Sequence, residues 1–330
     1  MKEGYLGIDV GSISTNLAVV DGQGELLCKK YIRTRGRPVE MMQKGLVELA
    51  DELDLADELD PTVRIRGVGA TGSGRQLAGI LAGADVVKNE ITAHAVAALH
   101  VAPDTRTVIE IGGQDSKCIF FRDGMVIDFA MNTVCAAGTG SFLDQQAHRL
   151  GIPVNRFGQY ALKARRPVKV AGRCTVFAES DMIHKQQMGH RVEDIIAGLC
   201  EALVRNYLNN LVKSHELYEP ILFQGGVAAN EGMRAAFEKL LGKSLIIPPH
   251  YEVMGAVGAA LLAREEADSG RKTRFRGFEI GRMPYELGGF ECEGCSNCCE
   301  VMEVRIPQPG GKERLVRWGD RCGKWETGAD

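Results

Sequence analysis

The sequence predicts an α/β protein made of two related domains and a small cysteine-rich extension. Three observations predict it. A strand–turn–strand–turn–strand pattern occurs at residues 5–27 and again at 107–129. Each copy is followed by stretches with apolar residues at helical spacing. Past residue 268 the composition turns polar and basic and then rich in cysteine.

The first copy is YLGIDVGSISTNLAVVDGQGELL and the second TVIEIGGQDSKCIFFRDGMVIDF. In each, an apolar strand ends in an acidic residue, Asp9 or Glu110. One apolar residue and two small ones follow, Gly11-Ser12 or Gly112-Gly113. A polar turn then leads into a second strand and an Asp-Gly hairpin, Asp21-Gly22 or Asp123-Gly124. Self-similarity at this level indicates duplication of a supersecondary unit. Helical periodicity covers VEMMQKGLVELADELD (39–54), the stretch from Asn89 to His100, and 192–212. Short strands are expected at VRIRGVGAT, PILFQGGVA and KSLIIPP. The expected layout is two domains, 1–103 and 104–268, facing each other across a cleft, with 269–330 as linker and extension.

With 330 residues there is ample length for two buried cores. Hydrophobic residues make up 45% and charged residues 25%, which is a globular composition. A net charge of −3 gives no bulk electrostatic reason to expect nucleic acid or membrane as a partner. The N-terminal MKEGYLGIDV has no basic region followed by an apolar core, and no apolar run approaches the roughly 18 residues a spanning helix needs. A cytoplasmic protein is expected. Ten cysteines in a reducing compartment then point to metal binding or catalysis rather than disulfides. Cys28, Cys118 and Cys200 sit in apolar or amphipathic patterns and read as packing thiols.

A glycine-rich hairpin tip exposes backbone N–H groups with no Cβ in the way, so it can wrap phosphate oxygens. The first such tip runs through Gly11, Ser12, Ile13, Ser14 and Thr15, and its hydroxyls add donors. Asp9, at the end of the preceding strand, can hold Mg²⁺ directly or through water. The second tip, Gly112-Gly113-Gln114-Asp115, offers the same from the other domain, with Glu110 behind it. Gln114 is a candidate for orienting an attacking water. A third turn, Gly225-Gly226-Val227 with Asn230 beyond it, follows a strand and opens a helix, and can approach a base or ribose closely. Any one of these turns alone is a hairpin. Three in this order and spacing reverse that reading and lead to the expectation of a nucleotide site for ATP or ADP.

GIDVGSISTN, EIGGQDSK and FQGGVAAN resemble the two phosphate motifs and the adenosine motif of the actin, sugar kinase and Hsp70 ATPase superfamily. The resemblance implies duplicated actin-like (ribonuclease H-like) domains around a nucleotide cleft. VCAAGTGSFLDQQA and RCTVFAESDMIHKQQ narrow it. They resemble the cysteine segments of the activator ATPases of 2-hydroxyacyl-CoA dehydratases, a branch that includes ATPase subunits of benzoyl-CoA reductase and the reductase of double-cubane cluster proteins. The similarity runs from about residue 4 to about residue 265 by motif position. Asn16 stands where many relatives have Lys, and Glu110 where Asp is usual.

Cys135 and Cys174 each lie where a helix is expected to start. A helix N-terminus carries unsatisfied N–H groups and a partial positive charge, which favours a thiolate and an anionic cluster. A four-iron cluster needs four thiolates, and this pair supplies two. The resemblance implies that a homodimer completes the set, with one [4Fe–4S] cluster shared across the two-fold axis. It further implies an ATP-driven electron donor: ferredoxin or flavodoxin upstream, and an iron–sulfur acceptor enzyme downstream.

In the extension, FECEGCSNCCEVMEV and GDRCGKWE flank an expected hairpin at Gln308-Pro309-Gly310-Gly311. Cys292, Cys295, Cys299 and Cys322 form the preferred ligand set, with Cys298 competing for the place of Cys299. Four thiolates suit a structural zinc or a second iron–sulfur cluster. The histidines show no ligand spacing. The acidic run ELADELDLADELDPT reads as a solvated helix face, and the glycine-rich loop GVGATGSGR is left without an assigned contact. The competing functions are a small-molecule kinase of the same superfamily, for which no sugar-binding segment is found, and a nucleotide-dependent regulator with a zinc tail.

Overall fold

The computed structural model describes residues 2–55, 63–132, 138–172, 174–213, 215–307 and 313–325. The chain forms two compact units, Met1–Glu90 with Gly255–Asp330, and Ile91–Met254. It forms mixed sheets with helices, the α/β arrangement expected of duplicated actin-like domains.

In the first unit, β1 (Lys2–Val10), β2 (Ser14–Val20) and β3 (Leu26–Arg33) form an antiparallel meander. α1 (Pro38–Leu55) follows and leads on to β4 (Val63–Thr71), which returns parallel to β1. α2 (Arg75–Ala82) precedes the two-residue β5 (Val86–Val87), parallel to β4. The sheet order is β3-β2-β1-β4-β5.

The second unit begins with α3 (Glu90–Val101), of which only Glu90 falls in the first unit. Its sheet repeats the plan. β6 (Thr107–Ile111), β7 (Ser116–Arg122) and β8 (Met125–Asn132) are the meander. β9 (Ile221–Gln224) lies parallel to β6, and β10 (Leu245–Ile246) parallel to β9. The order β8-β7-β6-β9-β10 is that of the first sheet, strand for strand. This is the structural form of the repeat read from residues 5–27 and 107–129. Among the described residues between β8 and β9 lie four helices, α4 (Gly140–Arg149), α5 (Val154–Ala161), α6 (Thr175–Gln187) and α7 (Val192–Tyr207), the last continued by a π-helical turn at Leu208–Val212. α8 (Glu231–Leu241) joins β9 to β10. Tyr207, Phe157, Phe223 and Phe237 are fully buried in this core.

The grouping of segments differs from the three consecutive domains expected. α3 packs Ala95 and Ala98 with Val108, Ile119, Phe121 and Leu222 of the second sheet. The last helix, α9 (Met254–Ala267), groups with the first unit. The reason is glycine on the strands. A Cβ on Gly7 would collide with the carbonyl of Ala256, and one on Gly69 with that of Ala259. On Gly67 it would lie 2.7 Å from the carbonyl of Ala263. Strand positions 67 and 69 share a face, and helix positions 256, 259 and 263 share another. A smooth strand surface thus meets a smooth helix stripe, backbone to backbone.

The extension also belongs to the first unit. β11 (Glu286–Glu291), β12 (Glu300–Pro307) and β13 (Glu313–Trp318) form a three-stranded antiparallel sheet. Val304, Ile306 and Val316, with Ile280 ahead of them, are buried in one apolar cluster with Leu6, Leu46 and Leu49. Gln43 on α1 donates to the carbonyls of Ile280 at 3.1 Å and Met283 at 2.6 Å. The segment read as a linker is anchored too. Thr273 Oγ1 and the Arg274 N–H both donate to the Asp85 carboxylate, at 2.7 Å each. Among the described residues no helix is long and apolar enough to cross a membrane.

Candidate functional site

In the first unit the β1–β2 turn is held from beneath. The Gly11 N–H donates to Ser14 O at 2.8 Å. From the end of β3, the Thr34 N–H donates to Ile13 O at 2.8 Å and its Oγ1 to Gly11 O at 2.9 Å. Thr15, expected as a phosphate donor, is fully buried and its hydroxyl pairs with that of Thr34 at 3.0 Å. Strand alternation turns Thr15 inward, so it supports the turn and leaves the tip to Gly11, Ser12, Ile13 and Ser14, of which Ser12 is exposed.

Asp9 is flanked across the sheet by Asn16 and Thr71. Asn16 Oδ1 and Thr71 Oγ1 are buried and have no protein hydrogen-bond partner. Buried polar atoms of this kind are normally satisfied by water or a ligand, so the carboxylate sits among groups suited to a hydrated Mg²⁺. The stretch 67–75, read from the sequence as a glycine-rich loop without an assigned contact, is the end of β4 and the turn after it, and that turn closes over this carboxylate. Gly72 has φ +88°, and a Cβ there would lie 2.5 Å from Asp9 Oδ1. The Gly74 N–H donates to Val10 O at 2.8 Å. The loop belongs with Asp9, which its own composition does not reveal.

In the second unit the corresponding acidic residue is locked in an ion pair. Lys117 Nζ lies 3.0 Å from Glu110 Oε2 and 2.8 Å from Asp115 Oδ1, with the Lys117 and Glu110 side chains both almost wholly buried. Glu110 and Lys117 oppose each other in the β6–β7 register. Asp115, expected as catalytic, thus shares a lysine with Glu110, while Gln114 is exposed at the tip. Lys117 was missed in the sequence. The available signal was a lone cation in the apolar strand SKCIFF. Behind it, Tyr207 donates to Lys117 O at 2.7 Å.

On the other side of Glu110, Gln224 of β9 is its register partner. Gln224 Nε2 lies 2.9 Å from His94 Nδ1 on α3. Burial, with the nearby Lys117 charge, pushes the His94 imidazole down to about 3, so the ring is neutral and accepts the amide N–H. Gly225, with φ +88°, has no room for a side chain: a Cβ would lie 2.6 Å from Glu110 Oε1. Gly226–Ala229 form a 3₁₀ turn that includes Val227. Asn230, expected at the nucleotide, is the N-cap of α8, and its Oδ1 accepts from the Met233 N–H at 3.1 Å. Its amide nitrogen is buried with no protein partner. The glycine turns at 112 and 225 therefore share one carboxylate as their neighbour.

The cysteine segments connect to this turn. α4 begins at Gly140, with Thr139 as its N-cap; Cys135 lies outside the described residues. The Gly140 N–H donates to Gly112 O at 2.9 Å and the Ser141 N–H to Gly113 O at 2.8 Å. The first donors of α4 are thus spent on the carbonyls of the second glycine turn. Cys174 is the extended N-cap residue of α6, half-buried, with no side-chain cap hydrogen bond. Its approach segment is pinned by Asp181, which accepts from the Ala171 N–H at 2.8 Å, and by Asn206 of α7, whose Nδ2 donates to Gly172 O. A Cβ on Gly138 would lie 3.2 Å from Asn206 Oδ1. Asn206 therefore stands between the end of one cysteine segment and the start of the other. A half-buried thiol at the positive end of a 13-residue helix fits an anionic cluster.

Cys28, Cys118 and Cys200 are buried, and desolvation raises each to about 12, as inert packing thiols require. In the extension Cys292 is buried, Cys299 half-buried, and Cys295, Cys298 and Cys322 exposed. Among the described residues no three His, Cys, Asp or Glu side chains are gathered in a metal-ligating array, so the expected set of Cys292, Cys295, Cys299 and Cys322 is not closed in this structure.

A family profile described as the BadF/BadG/BcrA/BcrD ATPase family matches residues 6–263. The (R)-2-hydroxyglutaryl-CoA dehydratase activating ATPase of Acidaminococcus fermentans is 35% identical over 263 residues, 79% of this chain and 97% of that protein. The 2-hydroxyisocaproyl-CoA dehydratase activator of Clostridioides difficile is 32% identical over 268 residues, 81% of this chain and 97% of its own. The structure of the activator of the 2-hydroxyisocaproyl-CoA dehydratase from Clostridium difficile with bound ADPNP superposes with a TM-score of 0.71 at 30% identity, covering 81% of this chain and 96% of that one.

Proposed function

This chain belongs to the BadF/BadG/BcrA/BcrD ATPase family, and from that premise we propose that it is an ATP-hydrolysing activator that delivers low-potential electrons, one at a time, to an iron–sulfur partner enzyme. The partner is a 2-hydroxyacyl-CoA dehydratase or a double-cubane cluster protein, the electrons come from ferredoxin or flavodoxin, and the setting is the cytoplasm of an anaerobic metabolism. The observation that carries the reading is the pair of hydrogen bonds from Gly140 and Ser141 to the carbonyls of Gly112 and Gly113.

The chain's own residues divide the work. Ser12 and Ile13 present N–H groups and Ser12 and Ser14 hydroxyls to phosphate, Gly11 shapes the turn through its own bond to Ser14 O, and Asp9 would hold Mg²⁺. In the second unit Gly113 presents its N–H, Gly112 shapes the turn through its own bond to Asp115 O, and Gln114 at the exposed tip would orient water. Gly225 lets the third turn pack against Glu110 and Ile111, and the turn Gly225-Gly226-Val227 meets the adenosine. A phosphate drawn to the N–H face of the 112–113 turn shifts its carbonyls, and those carbonyls hold the first turn of α4. Motion at the phosphate is thereby transmitted to α4, the helix that follows Cys135 in the sequence. When bound, a [4Fe–4S] cluster held by Cys135 and Cys174 from each protomer of a homodimer supplies the one-electron chemistry. Exposed Val176 and Phe177 in the first turn of α6 are apolar surface beside Cys174 of the kind a second protomer covers.

The test is anaerobic purification of the full chain followed by iron, sulfide and mass measurements. A dimer whose iron and sulfide disappear in Cys174→Ser, while ADP affinity by calorimetry is retained, is the expected result. A protein that is monomeric with every nucleotide, or whose iron is indifferent to Cys174, rejects the proposal.

A further inference from the structure

The family match ends at residue 263, and the sheet β11–β12–β13 lies wholly beyond it. We propose that this sheet carries its own metal site, a single zinc or iron ion held by the thiolates of Cys292, Cys295, Cys299 and Cys322. The inference does not rest on the function proposed above.

Topology brings the cysteines to one end of the sheet. β11 ends at Glu291, directly before Cys292, and β12 starts at Glu300, directly after Cys299. β13 then runs back and ends at Trp318, before the segment that holds Cys322. With Glu291 opposite Glu300 and Met302 opposite Trp318, both cysteine-bearing connections leave the sheet at the same edge.

Register selects the ligands. The ladder continues one step past Glu291, because the Cys292 N–H donates to Cys299 O at 2.8 Å. Directly opposed residues of an antiparallel pair put their side chains on the same face. Cys292 and Cys299 therefore share a face, and Cys298 does not share it. Cys298 instead takes φ +41°, and its N–H donates to Cys295 O at 3.2 Å. It makes the corner that lets the turn close, which favours Cys299 over Cys298 as the ligand.

The last connection folds onto that face. Phe290, two residues before Cys292 and so on its side, packs edge-to-face on Trp325 at 5.0 Å. Trp325 Nε1 donates to Cys292 Sγ at 3.2 Å, and the Gly294 N–H donates to the same sulfur at 3.4 Å. A sulfur receiving two N–H donors is in the setting that second-shell groups provide for a metal thiolate. The Trp325 N–H is held by Asp320 Oδ2 at 3.2 Å, and Cys322 Sγ donates to the same oxygen at 3.4 Å. Cys322 is thus tied into the short segment that Trp325 docks beside Cys292. Cys295 and Cys322 are exposed, so the thiols close on an ion by turning surface side chains, without disturbing the core. Each ligating thiol releases its proton to solvent as the metal–sulfur bond forms. The C-x₂-C spacing suits a four-thiolate ion.

The experiment uses the full chain with Cys135→Ser and Cys174→Ser, which removes both thiols used by the shared cluster. The expected result is one zinc or iron per chain, no acid-labile sulfide, and, on adding cobalt(II) to metal-free protein, the absorption of a tetrahedral four-thiolate site. Cys292→Ser and Cys322→Ser lose the metal, whereas Cys298→Ser keeps it. Comparing Cys298→Ser with Cys299→Ser in the otherwise unaltered chain, where only Cys299→Ser should lose this metal, covers the case in which the background variant does not fold. Absence of bound metal, sulfide in stoichiometric amount, retention of metal in Cys292→Ser/Cys322→Ser, or equal loss in Cys298→Ser and Cys299→Ser overturns the proposal. Iron that vanishes with Cys174 reports the shared cluster; metal that vanishes with Cys322 reports this site.

Discussion

Replacing Lys117 by Met tests the second glycine turn at its foundation. Lys117 and Glu110 are both buried at 3.0 Å, and Lys117 also holds the partly exposed Asp115. At that distance, with an effective dielectric near 20, their attraction is about 5–6 kcal/mol. Desolvation of both ions offsets much of this, so the pair's net contribution is small. Removing only the cation is different, because it leaves the Glu110 carboxylate buried beside Gly112 and Gly225. Breaking a buried pair costs roughly 3–5 kcal/mol. Glu110→Gln/Lys117→Met removes both charges and should recover most of that loss, with a coupling of at least ~2 kcal/mol in the double-mutant cycle. Both tryptophans, Trp318 and Trp325, lie in the first unit, so their fluorescence is blind to this change. Hydrogen exchange of the β6 and β7 amides is the suitable assay, and Lys117→Met should speed it on the order of 10²–10³-fold where exchange follows opening of the unit. A loss below about 1 kcal/mol, or single effects that simply add, would refute the reasoning.

Three further outcomes follow from the geometry. His94 is held near 3, against 6.5 when unfolded. The unfolded chain therefore takes up a proton below pH 6.5 that the folded chain refuses, and stability falls as pH drops between 6.5 and 3. From pH 7 to pH 5 the loss is about 2 kcal/mol, and the difference between urea titrations of the wild type and His94→Gln should show it; parallel curves would contradict it. A Cβ on Gly140 would lie 2.9 Å from Gly112 O and 3.1 Å from Val227, so Gly140→Ala should push the second turn out of place and weaken ADP binding roughly tenfold, about 1.4 kcal/mol by calorimetry. An unchanged affinity would show that the turn does not depend on α4. Gly69→Ala sets a methyl against the Ala259 carbonyl with no flexible side chain to yield, and should destabilise the first unit by about 1–3 kcal/mol, read by tryptophan fluorescence in urea; a midpoint shift near zero would mean that α9 slides freely on the strands.

Much of this was legible in the sequence because repeats and glycine turns are local. The Asp9 and Glu110 strand ends, the hairpins and the helices at 38–55 and 192–207 follow from patterns within a few residues. What was not legible depends on register. Nothing in SKCIFF says that Lys117 faces Glu110 until β6 and β7 are paired, and nothing in GVGATGSG says that Gly72 lies over Asp9 until β4 joins β1. The grouping of α9 with the first unit was written in Gly7, Gly67 and Gly69, but such glycines read equally as flexibility until a helix is laid on them. Asn230 and Thr15 sit in the right motifs, yet a cap and a strand face claim their side chains.

The two repeats share a sheet order but not a client, and the difference locates the output. In the first unit the turn after β1 is closed by Thr34, the residue that directly follows β3. The equivalent closure in the second unit comes from Gly140 and Ser141, beyond residues 133–139 that follow β8 and include Cys135. On the function proposed above, a chain that closed both turns in the first way would bind phosphate twice and report it nowhere. By inserting the cysteine segment between the third strand and the donor that closes the turn, the second repeat makes any displacement of its glycines a displacement of α4. On the function proposed above, the asymmetry between Thr34 and Gly140 is the point at which a duplicated phosphate-binding hairpin becomes a transducer.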